Sequence, residues 1–194
     1  ARALRQAGLK PYELEPKEGL SLINGTQFMT AIAVLAYLRA EKLARFADIA
    51  AAMTLEAVAG SYVPFDALVH KVRPHRGQKE VAANLRRLLK NSSINESHTH
   101  CGKVQDPYSL RCVPQVHGIC KDVLRSVKKI LQVEVNSVTD NPLVFYKSKQ
   151  LLTGGNFHGE YVAMAMDQLA IACAELASIS EQRIEKLMNP VFSG

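Results

Sequence analysis

EYVAMAMDQLAIACAELASISEQRIEKLM, residues 160–188, contains neither Gly nor Pro and is bounded by Gly159 and Pro190. That predicts one continuous helix, about 40 Å long at 1.5 Å per residue. Through its first half Ala163, Met164, Met166, Leu169, Ala170, Ile171, Ala172 and Ala174 cover nearly the whole circumference. A helix that is apolar all round has to be buried on all sides. A domain of 194 residues can scarcely enclose it together with two further long helices. The expected architecture is therefore a bundle core that continues into further chain or neighbouring subunits.

Upstream, helical periodicity dominates. Thr26 is placed to cap a helix carrying Phe28, Met29, Ile32, Leu35 and Leu38 at helical spacing and ending near Phe46. Asp48 is placed to cap a second, with Ile49, Met53, Leu55 and Val58 inward and Gly60 just past its end. Pro64 opens a short segment to Val72, and Pro74 suits the first turn of a helix reaching Lys90. Residues 91–102 read as a Ser/Asn/His-rich loop. Pro114 opens a long helix striped by Val116, Ile119, Val123, Val127, Ile130 and Leu131, which Asp140-Asn-Pro142 interrupts. Leu143–Phe145 and Gln150–Thr153 flank a polar turn and predict a small hairpin.

Composition narrows the function. Apolar residues make up 47% and charged residues 22%, enough core-forming side chains to exclude a disordered chain. The formal charge of +6 is concentrated in Lys71, Arg73, Arg76, Lys79, Arg86, Arg87 and Lys90. No aromatic residue lies among them to stack bases, so they read as a solvated helix face and no nucleic-acid partner is expected. No uninterrupted apolar run approaches the ~20 residues that span a bilayer, so no membrane association is expected. The chain starts at Ala1 without a Met or a signal-peptide stretch, a first indication of an internal fragment. Cys101, Cys112, Cys120 and Cys173 are irregularly spaced, as reduced thiols of a cytoplasmic protein are. On that reading the sequons at Asn24, Asn91 and Asn95 carry no glycan.

Few clusters carry chemistry. Gly154-Gly-Asn-Phe-His-Gly159 precedes a helix but lacks the spacing and the Lys-Ser/Thr of a phosphate loop. It either displays Asn156, Phe157 and His158 at a helix entrance or is a structural turn. His98-Thr-His100-Cys101 is the only dense group of metal-ligand types. No second pair stands at finger spacing, so no metal is expected. Glu175 and Glu181 are six residues apart and do not share a helix face. His70, His75 and His117 read as packing or surface residues.

The informative stretch is Val104-Gln-Asp-Pro-Tyr-Ser-Leu-Arg-Cys112. Asp106-Pro107 is a helix-start signal, and Gln105, Tyr108 and Arg111 at i, i+3 and i+6 sweep one broad face. Arg is shaped to hold a carboxylate through two parallel hydrogen bonds. Tyr serves as acid or base where its pKa of about 10 is lowered. A salt-bridged surface turn would use the same residues.

Six stretches then carry a resemblance: Leu22-Ile-Asn-Gly-Thr-Gln27, Val72-Arg-Pro-His-Arg-Gly-Gln78, Val104 to Cys112, Pro114-Gln-Val-His-Gly118, Thr139-Asp-Asn-Pro-Leu-Val-Phe145 and Gly154 to Gly159. In order and approximate spacing the chain resembles the aromatic amino-acid ammonia-lyases from about Gly8 to its end. Arg73 to Gln78 and the His158 form of the glycine motif look like the branch that acts on histidine.

The resemblance implies an all-α, long-helix bundle of the aromatic amino-acid lyase and fumarase–aspartase-like type, with a hairpin near residues 143–153. It implies elimination of ammonia from L-histidine to give trans-urocanate, the first step of histidine breakdown, in a homotetramer with active sites shared between subunits. The electrophile would be 4-methylidene-imidazol-5-one (MIO), made autocatalytically from an internal Ala-Ser-Gly, with no metal or nucleotide.

By the same resemblance Asn24 matches an asparagine beside the electrophile, Tyr108 a tyrosine near the reacting carbon, and Arg111 the arginine that binds the substrate carboxylate. Gln105 matches a glutamine of the pocket network and Phe157 an aromatic packed on electrophile and substrate, while Asn156 and His158 are possible pocket residues. No Ala-Ser-Gly occurs in the 194 residues; the nearest tripeptide is Phe192-Ser-Gly194. The expectation is an internal fragment, residues 1–194, of one larger helical lyase domain, inactive by itself and lacking the electrophile-bearing N-terminal part and the C-terminal part. The alternatives are a lyase acting on tyrosine or phenylalanine, and a non-catalytic helical oligomerisation module on the same scaffold.

Overall fold

The computed structural model describes residues 2–97 and 104–193. The described helices are α1 (Arg2–Gln6), α2 (Glu18–Ile23), α3 (Gln27–Ala57), α4 (Ala67–Lys71), α5 (Arg76–Leu88), α6 (Ser93–Ser97), α7 (Tyr108–Arg111), α8 (Val113–Glu134), α9 (Glu160–Met188) and α10 (Pro190–Ser193). A 3-10 turn, Val63–Phe65, precedes α4. The only described sheet is an antiparallel hairpin of β1 (Leu143–Phe145) and β2 (Gln150–Leu152), in the register Val144 opposite Leu151.

Three long helices make the frame, with α8 packed on both α3 and α9 and with α5 laid across α8. Thr26 beside Glu134 at one end, and Asp48 beside His117 further along, show α8 antiparallel to α3. The crossing of α5 on α8 needs two glycines. A Cβ on Gly118 would overlap the Gln78 backbone, and one on Gly77 would overlap the Gly118 carbonyl. The Asp122 carboxylate accepts the Gly77 N–H at 3.1 Å, placing a negative charge at the positive end of α5.

Besides α6, which forms at Ser93–Ser97 inside the stretch read as a loop, two sequence expectations change here. Residues 27–57 form one helix, with no Gly or Pro to break it, and Asp48 is not a cap. Its carboxylate is fully buried and accepts from Nδ1 of His117 at 2.9 Å, from Nδ2 of Asn84 at 2.9 Å and from Nζ of Lys121. Tertiary partners thus outbid the local backbone for that side chain. The helix ends where expected: Ala59 takes φ 47° and the Gly60 N–H bonds the Leu55 carbonyl at 2.8 Å, the left-handed stop of a Schellman motif.

The second change concerns which face of α3 is inward. Ala33, Ala40, Ala44, Ala51 and Ala52 are buried, while Phe28, Ile32, Leu35 and Leu38 point outward, and of the residues expected inward Leu55 and Val58 are buried but Ile49 and Met53 are exposed. Small side chains let α8 and α9 approach α3 closely, so within this chain the close-packed face is the alanine face. On α9 the buried stripe is Val162, Ala165, Leu169, Ala172, Leu176 and Ile179, and Tyr161, Met164 and Ile171 remain exposed. The long apolar helix is thus half-covered by its own chain, as its composition predicted. By length and composition alone, residues 18–57 and 160–188 are each apolar enough to cross a membrane, against the expectation from uninterrupted runs. Arg39, Glu41, Lys42 and Arg45 interrupt the first, and both helices pack into the shared core.

That core has two apolar clusters, one joining α3, α8 and α9, the other joining the far end of α3 to α5, α7 and the start of α8. A polar node lies between them. Asp48 stands between Ala44 and Ala51, and His117 between Val113 and Cys120. Nη1 of the buried Arg183 is 3.5 Å from Nε2 of His117. Burial pushes the His117 imidazole below its ordinary pKa, outweighing the Asp48 contact. Burial raises the Asp48 carboxyl, but hydrogen bonds from His117, Lys121 and Asn84 win and hold it low. The arrangement is an aspartate, a neutral imidazole donating from Nδ1, and a guanidinium. His70 is likewise a packing histidine, with Nε2 donating to the Pro64 carbonyl and Nδ1 accepting from Gln78, both at 3.0 Å.

Candidate active site

Asn24 ends α2. Its Nδ2 donates to Oδ1 of Asp140 at 3.4 Å, and its carbonyl accepts from Nε2 of Gln27 at 2.9 Å. Gly25 follows at φ 99°, and a side chain there would overlap the Thr139 carbonyl. Glycine therefore lets this turn lie directly on the 139–141 segment. Thr26 completes the seam, with its N–H on Oγ1 of Thr139 at 3.2 Å and its Oγ1 on Glu134 at 2.5 Å.

The glycine-rich loop docks on the same segment. The Gly154 N–H donates to Oδ1 of Asn141 at 2.8 Å, and Nδ2 of Asn156 to the Val138 carbonyl at 3.4 Å. Nδ1 of His158 accepts the Glu160 N–H at 3.3 Å, closing the start of α9. Gly159 permits that start to meet Met29 of α3. A cleft of about 630 Å³ opens beside the loop, lined in part by Lys129, Glu134, Thr139, Asn156, His158 and Tyr161. Phe157 is exposed.

Gln105, Tyr108 and Arg111 gather elsewhere. Pro107 before α7 and Pro114 in the first turn of α8 confine α7 to one turn. Gln105 therefore precedes the helix and does not share its face, a correction to the expected spacing. Tyr108 and Arg111 begin and end that turn, with the guanidinium 4.9 Å above the phenol ring. Nε of Arg111 donates to the Asp106 carbonyl at 2.7 Å, which orients the fork and, among the described residues, leaves both Nη groups for another partner. The Asp106 carboxylate accepts the Ser61 N–H at 2.7 Å and pins the segment beyond the C-terminus of α3. Tyr108 is largely exposed, beside a cleft of about 400 Å³ bordered by Cys112, Glu175 and Gln182. Gln105 and Arg111 border another of about 650 Å³ with Lys186 and Phe192.

The expected site residues thus fall into two groups. Asn24, Asn156, Phe157 and His158 lie at the N-terminal end of α3, while Gln105, Tyr108 and Arg111 lie past its C-terminal end. The 31 residues of α3 put about 45 Å between them. Sequence reasoning missed Lys17, Ser21 and Asp140 around Asn24. Their only signal was Asp140 standing within the Thr139 to Phe145 stretch. Among the described residues no cluster of three metal-ligand side chains occurs. His98, His100, Cys101 and Gly194 lie outside the described residues. Cys112, Cys120 and Cys173 are free thiols.

A helical bundle with these motifs at its two ends defines a class: the chain belongs to the aromatic amino acid lyase family, which it matches over residues 1–194. Within it, the chain is 56% identical to histidine ammonia-lyase of Myxococcus xanthus over 192 residues, 99% of this chain and 38% of that protein. It superposes on the crystal structure of histidine ammonia-lyase from Trypanosoma cruzi with a TM-score of 0.88 at 49% identity, covering 99% of this chain and 35% of that one. Tyrosine aminomutase from Streptomyces globisporus matches at 0.91 and 39% identity, covering 99% and 40%. The chain thus spans well under half the length of these relatives.

Proposed function

We propose that the chain is the central part, residues 1–194, of a larger helical lyase domain that eliminates ammonia from L-histidine to give trans-urocanate, in the cytoplasm. The observation that carries this reading is the 56% identity to a histidine ammonia-lyase along 99% of the chain. The separation of the two residue groups supports a homotetramer with shared sites. One copy's Asn24 and Phe157 would face another copy's Tyr108 and Arg111, because the length of α3 keeps them apart within a single copy. The exposed apolar faces of α3 and α9 suit such an assembly.

Arg111 would hold the substrate carboxylate through its Nη pair, with its orientation set by the Asp106 carbonyl. Tyr108 presents a hydroxyl that holds or moves a proton at the reacting carbon. Gln105 adds an amide to the same pocket, and Phe157 excludes water and packs on the substrate ring. Asn156 and His158 shape the loop that carries Phe157. The electrophile, MIO, would activate the amino group as a leaving group. Its Ala-Ser-Gly precursor is not among these residues, and Asn24, half-buried and anchored through its amide nitrogen, is the side chain fit to hold such a group by its carbonyl.

The test is turnover of L-histidine by the full-length protein, followed by the near-ultraviolet absorbance of urocanate. No turnover by a protein bearing Ala-Ser-Gly sinks the assignment, and preferred turnover of tyrosine or phenylalanine moves it to those substrates.

A further inference from the structure

Asp140 is the most heavily solicited carboxylate near the proposed site. Its Oδ2 accepts from Oγ of Ser21 at 2.8 Å and forms an ion pair with Lys17. Its Oδ1 takes the Asn141 N–H at 2.7 Å and Nδ2 of Asn24 at 3.4 Å. Lys17 first, then Ser21 and the Asn141 N–H, hold its acid far below the usual carboxylate range, so the group is an anion at neutral pH. Lys17 adopts φ 74°, left-handed backbone that a lysine takes only when its surroundings impose it.

An ionised carboxylate only accepts hydrogen bonds. The two ends of a carboxamide have nearly the same shape, but only the NH2 end can face Asp140. Turning the amide over would set Oδ1 of Asn24 against an anion. From this geometry, and resting on the lyase reading above, we propose that Asp140 is a positioning residue: it fixes the carboxamide of Asn24 so that the amide oxygen and one N–H are presented to the reacting group in a single orientation. The adjoining residues extend this role. Thr139 holds the Thr26 backbone, and Asn141 holds Gly154 at the start of the loop that carries Phe157. One short segment, residues 138–141, therefore sets Asn24 and the Phe157 loop relative to each other.

The test uses the full-length protein with Asp140→Ala, and Asp140→Asn should the first fail to fold. Either substitution removes the charge that selects the amide orientation. The expected result is a fall in kcat for L-histidine of roughly 100-fold, the usual penalty for a catalytic group misplaced by about 1 Å. KM should stay within about twofold, because Arg111, which would bind the carboxylate, lies past the other end of α3 and does not touch Asp140. The crystal structure of the variant should show the Asn24 carboxamide rotated or in two orientations. A folded variant with unchanged kcat, a change confined to KM, or an Asn24 amide that keeps its place overturns the proposal. Absence of turnover by the unsubstituted protein would instead remove the lyase reading on which it rests.

Discussion

Two dead variants of the full-length protein should revive one another. Asn24→Ala removes the amide at one end of α3, and Arg111→Met removes the guanidinium at the other. A single amino acid spans about 3.6 Å of backbone, so one substrate cannot touch both groups across roughly 45 Å of helix. If the reaction needs both, each site must take Asn24 from one copy and Arg111 from a different one. In tetramers assembled from equal amounts of the two variants, the copy supplying Asn24 is intact there in half the sites. The copy supplying Arg111 is independently intact in half. About one quarter of the sites then carry both groups, as expected for random mixing in a symmetric homo-oligomer. The assay is co-expression of differently tagged variants, tandem purification, and kcat per site from urocanate absorbance. Each variant alone should be close to inactive, and the tandem-purified mixture, stripped of tetramers made of one variant only, should show about 29% of normal activity. A mixed oligomer as inactive as its parents would place both groups in one copy and refute the shared site.

The polar node offers a stability test: Asp48→Ala leaves Lys121 and Arg183 without a counter-charge and should cost about 3–5 kcal/mol in urea unfolding, whereas a loss under 1 kcal/mol would show that water reaches the node. The same node makes the fold acid-sensitive. His117, its pKa lowered in the fold, gains its proton more readily when unfolded, so stability should decline as pH drops below about 6.5. The depressed Asp48 adds a further loss below about 4, as pH falls toward its folded value. His117→Gln should flatten the upper part of that profile, and an unchanged slope would assign the effect to other groups. At the helix crossing, Gly118→Ala should cost about 3 kcal/mol, since it meets backbone and not a movable side chain; a neutral urea midpoint would show that α5 can shift.

Element boundaries were legible at several points where Gly and Pro punctuate the chain, although Pro74 falls just outside α5, whose N-cap is His75. The span of α9, the hairpin and the start of α8 at Pro114 all stand where those residues place them. Asp48 shows why the same reading failed within α3. An aspartate is a good cap only while no better partner exists, and His117, Lys121 and Asn84 come from segments far along the chain. The inward face of α3 failed for a related reason. Periodicity marks apolar positions but cannot say which of two apolar faces meets its own chain, and here alanine wins because it lets three long helices close up. For the candidate site, residue types were readable as motifs, while their division between two ends follows only from how far α3 runs.

On the proposed reading, that division ties the outward-facing residues to the chemistry. Phe28, Ile32 and Leu35 start one turn from Asn24, and Tyr161 and Met164 begin α9 just after Phe157 and His158. Apolar surface of this extent on a folded chain marks an association face, and here it adjoins the residues that the proposed shared site would complete with a second copy. Polar substitution within it, Ile32→Asp for example, should therefore lower assembly and kcat together, with neither the Asp48 node nor the α5–α8 crossing disturbed. Size-exclusion chromatography and urocanate formation measured on the same preparation decide the matter. A variant that dissociates yet keeps full turnover would break the link between assembly and catalysis, and the exposed face of α3 would then need another partner to explain it.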